Sequence, residues 1–296
     1  MRAADGSLAP VERPRVIYVM GAGRSGSTIF GVTLGNCDGV FYAGELDAWL
    51  VRAGDPQLDG EQQRRFWGAV RARMEGAQPL YGNAAQRCLE RSMALFRPRL
   101  WRTRRRLRGE YRGVAEQLYR AVARVSGEGC VVDTSHYPLR ARELQALDGI
   151  DLHLVYLVRD PQSVVASFNR RDVAQYSKST LTTNVYLWLT NMLATLVFLR
   201  HPRERRLLVR YEDFIANPPA TVRRVLQLVG SDAPPPALDA LAVGVPFQGN
   251  RLIRAGSIAL RPQAAAPPRR SRITALLQLP WAFMLRRLHP AAASAV

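Results

Sequence analysis

Three features of the 296-residue sequence predict an α/β fold: a three-layer α/β/α arrangement around a central parallel sheet, P-loop-like at its first turn. The β-branched run Val16–Met20 ends in a glycine-rich turn and is followed by the apolar, helix-length run Ile29–Leu34. Further short apolar runs at 129–133, 152–158 and 207–211 each precede a helical pattern. Two of those helices announce their starts, because Asp160-Pro161 and Asn217-Pro218 place a side-chain cap before a proline at the first helical position. Strands alternating with helices bury both faces of a parallel sheet through right-handed crossovers. With 47% hydrophobic residues the chain can fill one large core, so a single domain over 1–296 is expected.

Taken in order, Met1–Arg15 carries charges and prolines where a secretory signal has its apolar segment, which predicts a soluble, cytoplasmic chain. The run 16–20 is the first strand. Residues 58–126 form a long, mostly helical insertion before the second predicted strand. In it Leu107, Tyr111, Val114, Leu118, Val122 and Val125 recur at three- and four-residue spacing, so one face packs and the arginines are expected to point outward. The most apolar window, 184–199, contains Thr190, Asn191 and Thr195 and is shorter than the roughly 20 residues needed to span a bilayer. Residues 232–236 read as a proline-rich link and 262–268 as low-complexity Ala/Pro, before an amphipathic segment at 271–289 with Trp281, Phe283 and Leu285. That last helix has two readings, packing on the domain or lying on a membrane surface. No internal repeat is apparent.

Charge is distributed unevenly. The chain holds 42 Lys+Arg against 24 Asp+Glu, a net of +18. Residues 87–124 have twelve Arg against Glu90, Glu110 and Glu116, and residues 240–296 have eight Arg and no acid, so these two segments carry +9 and +8 of the total. Only Lys178 among the basic residues is a lysine, so chemistry that ordinarily uses lysine falls to other groups. The Arg97–Arg112 run, with Trp101, fits a solvated helix face, a subsite for an anionic acceptor, or a docking surface for acidic lipid or protein. A nucleic-acid patch is the weakest reading, since no recognition-helix, zinc or RNA-binding motif accompanies it. Cys37, Cys88 and Cys130 are too widely spaced for a metal motif or a disulfide framework.

The strongest local signal is Gly21-Ala22-Gly23-Arg24-Ser25-Gly26-Ser27-Thr28, directly between a strand and a helix. Backbone N–H groups of such a loop, together with the helix N-terminus, converge on a phosphate-like anion. Against the nucleotide-triphosphate P-loop both glycines and Thr28 are in register, but Ser27 stands at the lysine position and the cation lies three residues earlier, at Arg24.

The segment Arg24-Ser25-Gly26-Ser27-Thr28 resembles the 5′-phosphosulfate loop of sulfotransferases that use 3′-phosphoadenosine-5′-phosphosulfate (PAPS). A second element, Leu154–Ser167, resembles that family's 3′-phosphate element, a strand ending in Arg159 with Ser167 eight residues later. The resemblance implies that Ser25, Gly26, Ser27 and Thr28 hold the 5′-phosphate and that Arg159 and Ser167 hold the 3′-phosphate. Val209–Phe214 with Asn217-Pro218 resembles the segment in which a tyrosine, here Tyr211, lies near the adenine. Gly249-Asn250-Arg251 resembles the lid that returns to the 3′-phosphate, a role open to Arg251 or Arg254. The resemblance spans residues 15–50, 128–172 and 205–255, and leaves the 58–126 insertion to shape the acceptor side.

Sulfuryl transfer needs a base on the acceptor and cations on the departing phosphate oxygen. The resemblance implies Glu45, after Gly44, as the base, with Asp47 as its rival, and Arg24 as a cation on the leaving group. Asp133–Pro138 resembles a D-x-S-K-x-P stretch in which His136 stands where relatives carry a leaving-group lysine. Three roles are open to His136: an imidazolium on the leaving oxygen, a second base, or a structural group. The reading is therefore a PAPS-dependent sulfotransferase acting without a metal on a hydroxyl of a small molecule, glycan or glycolipid, with peripheral membrane contact left open. Its rivals are a nucleotide kinase with a degenerate loop, for which Asp133 would be the metal-binding acid, and a basic adaptor without catalysis.

Overall fold

The computed structural model describes residues 13–169, 179–261 and 271–288. Lys178 and the Ala/Pro segment 262–268 lie outside the described residues. The first strand, β1 (Arg15–Gly21), feeds α1 (Ser27–Leu34), and the chain returns through β2 (Val40–Gly44). The insertion follows as α2 (Ala48–Val51), α3 (Glu61–Arg71), a short helical turn over 86–90, a 3-10 turn at Ser92–Phe96, and the 28-residue α4 (Arg99–Ser126). Then come β3 (Cys130–His136), α5 (Pro138–Leu144), β4 (Asp151–Val158), α6 (Pro161–Phe168) and α7 (Thr180–Arg200). The chain continues through β5 (Arg206–Arg210), α8 (Tyr211–Ala216), α9 (Pro218–Leu228), the pair β6 (Leu241–Ala242) and β7 (Ser257–Ile258), and α10 (Arg272–Leu288).

Five strands form one parallel sheet in the order β2-β3-β1-β4-β5. The fifth strand, β2, falls in a stretch without a sequence-based strand assignment, where Glu45 simply follows the loop helix and its connection. It forms because Val40, Tyr42 and Ala43 are buried, α1 lies across it, and its backbone pairs with β3. Alternation along β1 assigns Val16, Tyr18 and Met20 to one core and Ile17 and Val19 to the other, the period-two signature of a strand covered on both faces. The first core takes in α4, α5, α7 and α10; the second takes in α1, α8 and α9. The three-layer expectation holds.

The insertion differs from its prediction in one physical respect. Tyr111, Val114, Leu118 and Val122 pack inward as their spacing requires, but the arginines do not all face water. Arg104 is buried, and Arg104, Arg108 and Arg112, four residues apart on one helical line, all meet the buried Glu143 of α5, at 3.0, 3.1 and 2.8 Å. Periodicity marks the face but not the distant acid that draws it inward.

The helix α7 satisfies the length and hydropathy of a membrane-crossing helix, yet half of it is buried. Its inward residues include Thr183, Asn184, Thr190, Asn191 and Thr195. Neighbours engage two of these positions: Tyr156, which accepts from Trp281 Nε1 at 3.2 Å, donates to the Asn191 carbonyl at 3.2 Å, and Gln278 Nε2 donates to the Asn184 carbonyl at 3.0 Å. Trp281 is thus a core residue, and α10 packs on the domain, closing over α6 and α7.

Candidate active site

The sheet order sends the chain one way from β1 to β3 and β2 and the other way to β4 and β5, so a crevice opens at the carboxyl end of β1. Register puts His136 of β3 beside Met20 and Leu157 of β4 beside Gly21. The glycine-rich loop, the end of β3 with His136, and Arg159 therefore meet at one sheet edge.

The loop is shaped by close contact. Gly26 has φ 92°, and a Cβ there would collide with the Tyr211 ring, so neither a side chain nor ordinary backbone geometry fits. Gly26 caps α1 without any side-chain hydrogen bond, which leaves the first-turn amides of the helix without an intrahelical acceptor and aimed out of its N-terminus. Ser25 and Thr28 are buried beneath. Arg24 has φ 69°, and His136 has φ 58°; with Ala53 they are the non-glycine residues in left-handed backbone among the described residues. Such conformations are costly and concentrate at functional sites.

The two sequence elements close on each other. Arg24 Nε donates to Ser167 Oγ at 3.1 Å, and Arg159 donates to the Arg24 carbonyl at 3.0 Å. The Arg159 guanidinium lies 4.5 Å from the Tyr211 ring centroid, so Tyr211 is wedged between Gly26 and Arg159. Arg159 Nε is buried with no hydrogen-bond partner among the described residues, a cost that an anionic ligand would relieve. Asp160 caps α6 through the Ser163 amide at 2.9 Å, and its own amide donates to Glu212 at 2.9 Å, giving Glu212 a structural role. Gly249 approaches Thr28, and the 3-10 turn 251–254 stands beside α1 with Arg251 and Arg254 both exposed.

Glu45 directly follows β2. Gly44, at φ 81°, lies so close to the Gln248 carbonyl that no side chain fits, and the Glu45 amide donates to that carbonyl at 2.8 Å. Burial pushes the Glu45 carboxyl up from 4.5 to about 7; the contact with Gln248 opposes this and the charge of Asp133 adds to it. A carboxylate tuned to neutrality suits a general base. The turn is anchored from β3: the Leu46 amide donates to Asp133 at 3.4 Å and the Asp47 amide to Ser135 Oγ at 2.9 Å. The rival base, Asp47, is buried deeply, accepts from Gln86 at 2.9 Å, and is pushed well above the carboxylate range by burial and then by Glu90. Its surroundings disfavour the charged carboxylate that a base has to be.

Asp133 is fully buried, and both its oxygens are engaged, by the Leu46 amide, Ser135 and its amide on one side and by Tyr119 at 2.5 Å and Arg140 at 3.3 Å on the other. Arg140 also pairs with Glu90 at 2.9 Å, and Tyr111 donates to Glu90 at 2.5 Å. A fully buried network thus ties the insertion to the strand end that carries His136. For His136, burial lowers the imidazole to about 4, opposed by its bond to the Thr134 carbonyl. The imidazolium proposed for the leaving oxygen is therefore not the form this surrounding favours at neutral pH: the Thr134 bond and the Asp133 charge offset only part of the desolvation of a cation, and Arg91 adds to it.

Several residues of the site were missed in the sequence. Tyr186 of α7 accepts the Gly23 amide at 3.0 Å, Gln248 holds Glu45, and the Tyr42 hydroxyl meets Thr134 at 3.3 Å. Only Gln248 carried a local signal, standing immediately before the Gly249-Asn250-Arg251 segment.

The model of the Sulfotransferase family matches residues 14–235. No curated protein sequence matches the chain. Among solved structures, the sulfotransferase domain from the curacin biosynthetic pathway aligns with a TM-score of 0.52 at 17% identity, covering 91% of this chain and 98% of that one. The sulfotransferase domain of the Synechococcus PCC 7002 olefin synthase aligns with a TM-score of 0.51 at 18% identity, covering 92% and 96%. At these identities the two structures support the fold.

Proposed function

Because the chain belongs to the sulfotransferase family, an enzyme family, we propose that it transfers a sulfuryl group from PAPS to a hydroxyl of a small molecule, glycan or glycolipid. The observation that carries the choice of donor is the convergence of Arg24, Ser167 and Arg159 on the N-terminus of α1, with Arg159 Nε buried and unpaired among the described residues. Two anionic groups of one nucleotide fit that arrangement: the 5′-phosphosulfate on the amides of Ser25–Thr28, and the 3′-phosphate on Arg159 and Ser167. Tyr211 offers a ring for the adenine, and Arg251 stands on the neighbouring turn.

In the reaction the acceptor O–H gives its proton to Glu45 while its oxygen bonds to sulfur. The bond from sulfur to the bridging phosphate oxygen breaks, and adenosine 3′,5′-bisphosphate leaves. Arg24 supports the charge that develops on that oxygen. His136 enters as a neutral imidazole; the two phosphates of the donor would raise its pKa, so its protonation follows occupancy of the site. A kinase reading loses its proposed acid, since Asp133 is buried with both oxygens engaged.

Calorimetry tests the donor. Adenosine 3′,5′-bisphosphate is expected to bind at least about tenfold more tightly than 5′-AMP, the worth of one charge-assisted contact to the 3′-phosphate. Equal affinities would sink the assignment.

A further inference from the structure

We propose that the face formed by α7 and α10 docks the protein on the headgroup region of an anionic lipid bilayer. Both helices turn apolar side chains outward and polar ones inward, beside buried apolar residues such as Leu187, Val197 and Phe198 of α7 and Trp281 of α10. On α7 the outward line is Leu181, Val185, Trp188, Met192, Leu196 and Leu199, all exposed except the half-buried Met192, while Thr183, Asn184, Thr190, Asn191 and Thr195 point into the protein. The spacing of those apolar residues, four, three, four, four and three, puts them on a single stripe. On α10, Thr274 and Gln278 are buried, whereas Ile273, Leu276, Leu279 and Phe283 are exposed, Leu276 by 67%.

Interior bonding fixes this orientation. Asn184 Nδ2 donates to Thr274 at 3.1 Å, Gln278 Nε2 donates to the Asn184 carbonyl at 3.0 Å, and Trp281 is buried against Tyr156. Rotating either helix to hide its apolar side would strand those polar groups. The polar sides therefore stay inward, and the apolar sides stay in contact with whatever surrounds the protein. Exposed apolar stripes on two helices that pack against each other mark a surface made for an apolar partner.

Charge selects the partner. Neither α7 nor α10 contains an acidic residue, and Arg200, Arg272, Arg286 and Arg287 stand at their ends. The 3-10 turn Ser92–Phe96 packs against α7 and adds exposed Met93 and Phe96, and residues 91–109 hold eight arginines and no acid. A second copy of the chain would bring this all-positive rim against itself. An anionic bilayer satisfies both parts, taking the apolar side chains below the headgroups and the arginines at their level. The same helix carries Tyr186 to the glycine-rich loop, so a docked protein holds its site close to the lipid surface. The inference stands on this surface and is independent of the donor assigned above.

Vesicle flotation tests it, with liposomes of phosphatidylcholine alone and of equal parts phosphatidylcholine and phosphatidylglycerol. The protein is expected to float with the mixed vesicles, less with the neutral ones, and less in high salt. The exposed-residue variant Trp188→Ser/Leu276→Ser/Phe283→Ser is expected to lose at least about tenfold in partitioning. Its affinity for adenosine 3′,5′-bisphosphate should not change, which separates failure of docking from failure of the donor site. Should that variant not fold, Arg286→Glu/Arg287→Glu decides, with a comparable loss on the anionic vesicles only. Absence of flotation with either vesicle, or wild-type flotation by the variants, overturns the proposal. So does a concentration-dependent dimer that the serine variant abolishes without any vesicle binding, which would give the face to a second copy.

Discussion

A single carboxyl sets the expected pH behaviour. Because Glu45 is raised to about 7 and must be unprotonated to accept the acceptor's proton, kcat/KM should climb as pH rises through 7 and level off above it. Glu45→Gln should remove that limb and lower turnover by about 100-fold or more, measured by transfer of sulfate from labelled PAPS. Stability should move oppositely. The folded state holds this proton more tightly than the unfolded chain, so the favourable contribution is present below about 4.5 and is lost as pH rises through 7. Glu45→Gln should therefore stabilise the fold at pH 8 by about 1–3 kcal/mol, read as a higher Tm, and leave Tm nearly unchanged at pH 4. Arg159 makes a second residue-level case: Arg159→Ala should weaken adenosine 3′,5′-bisphosphate by about 1.5–3 kcal/mol in calorimetry while leaving 5′-AMP much less affected.

Between elements, the buried charges matter more than the glycine-rich loop alone would indicate. Arg140 of α5 joins Glu90 from the insertion to Asp133 in the middle of β3, and Asp133 in turn holds the turn of Glu45. Arg140→Met leaves two buried carboxylates without their cation and should cost about 3–5 kcal/mol in denaturant unfolding. Glu90→Gln in the same background should restore part of that loss, since it removes one of the stranded charges. These links explain what was legible in the sequence and what was not. The loop, Arg159 and Ser167 could be read because each sits at a fixed distance from a strand end. Tyr186, Glu90 and Tyr119 could not, because they reach the site from helices whose placement depends on packing. The strand β2 escaped for a different reason: the four residues between Gly39 and Gly44 carry too little alternation to stand out. Arginine direction on α4 was misjudged because an outward-facing row and a row drawn to Glu143 have the same spacing.

Across the molecule, the net charge divides into parts with different roles. Three of the insertion's arginines, Arg104, Arg108 and Arg112, are drawn inward by Glu143, and Arg140 of α5 is taken up by Glu90 and Asp133, whereas the arginines at the ends of α10 and most of those at the start of α4 remain at the surface. The terminal helix is part of the core through Trp281, Gln278 and Thr274. A chain ending at Arg261 should therefore melt well below the full-length protein, by about 10 °C or more, since losing a buried tryptophan alone removes about 3–5 kcal/mol. A melt unchanged by that truncation would show that α10 is dispensable to the fold. The network around Arg140 also bears on how such enzymes can be recombined. The helical insertion between β2 and β3 looks like a cassette that could be exchanged among relatives to change the acceptor, but Glu90, Tyr111 and Tyr119 belong to it while Arg140 and Asp133 belong to the recipient. A graft cut at the strand boundaries would separate those partners, so a working chimera has to transplant both halves of the charge cluster together.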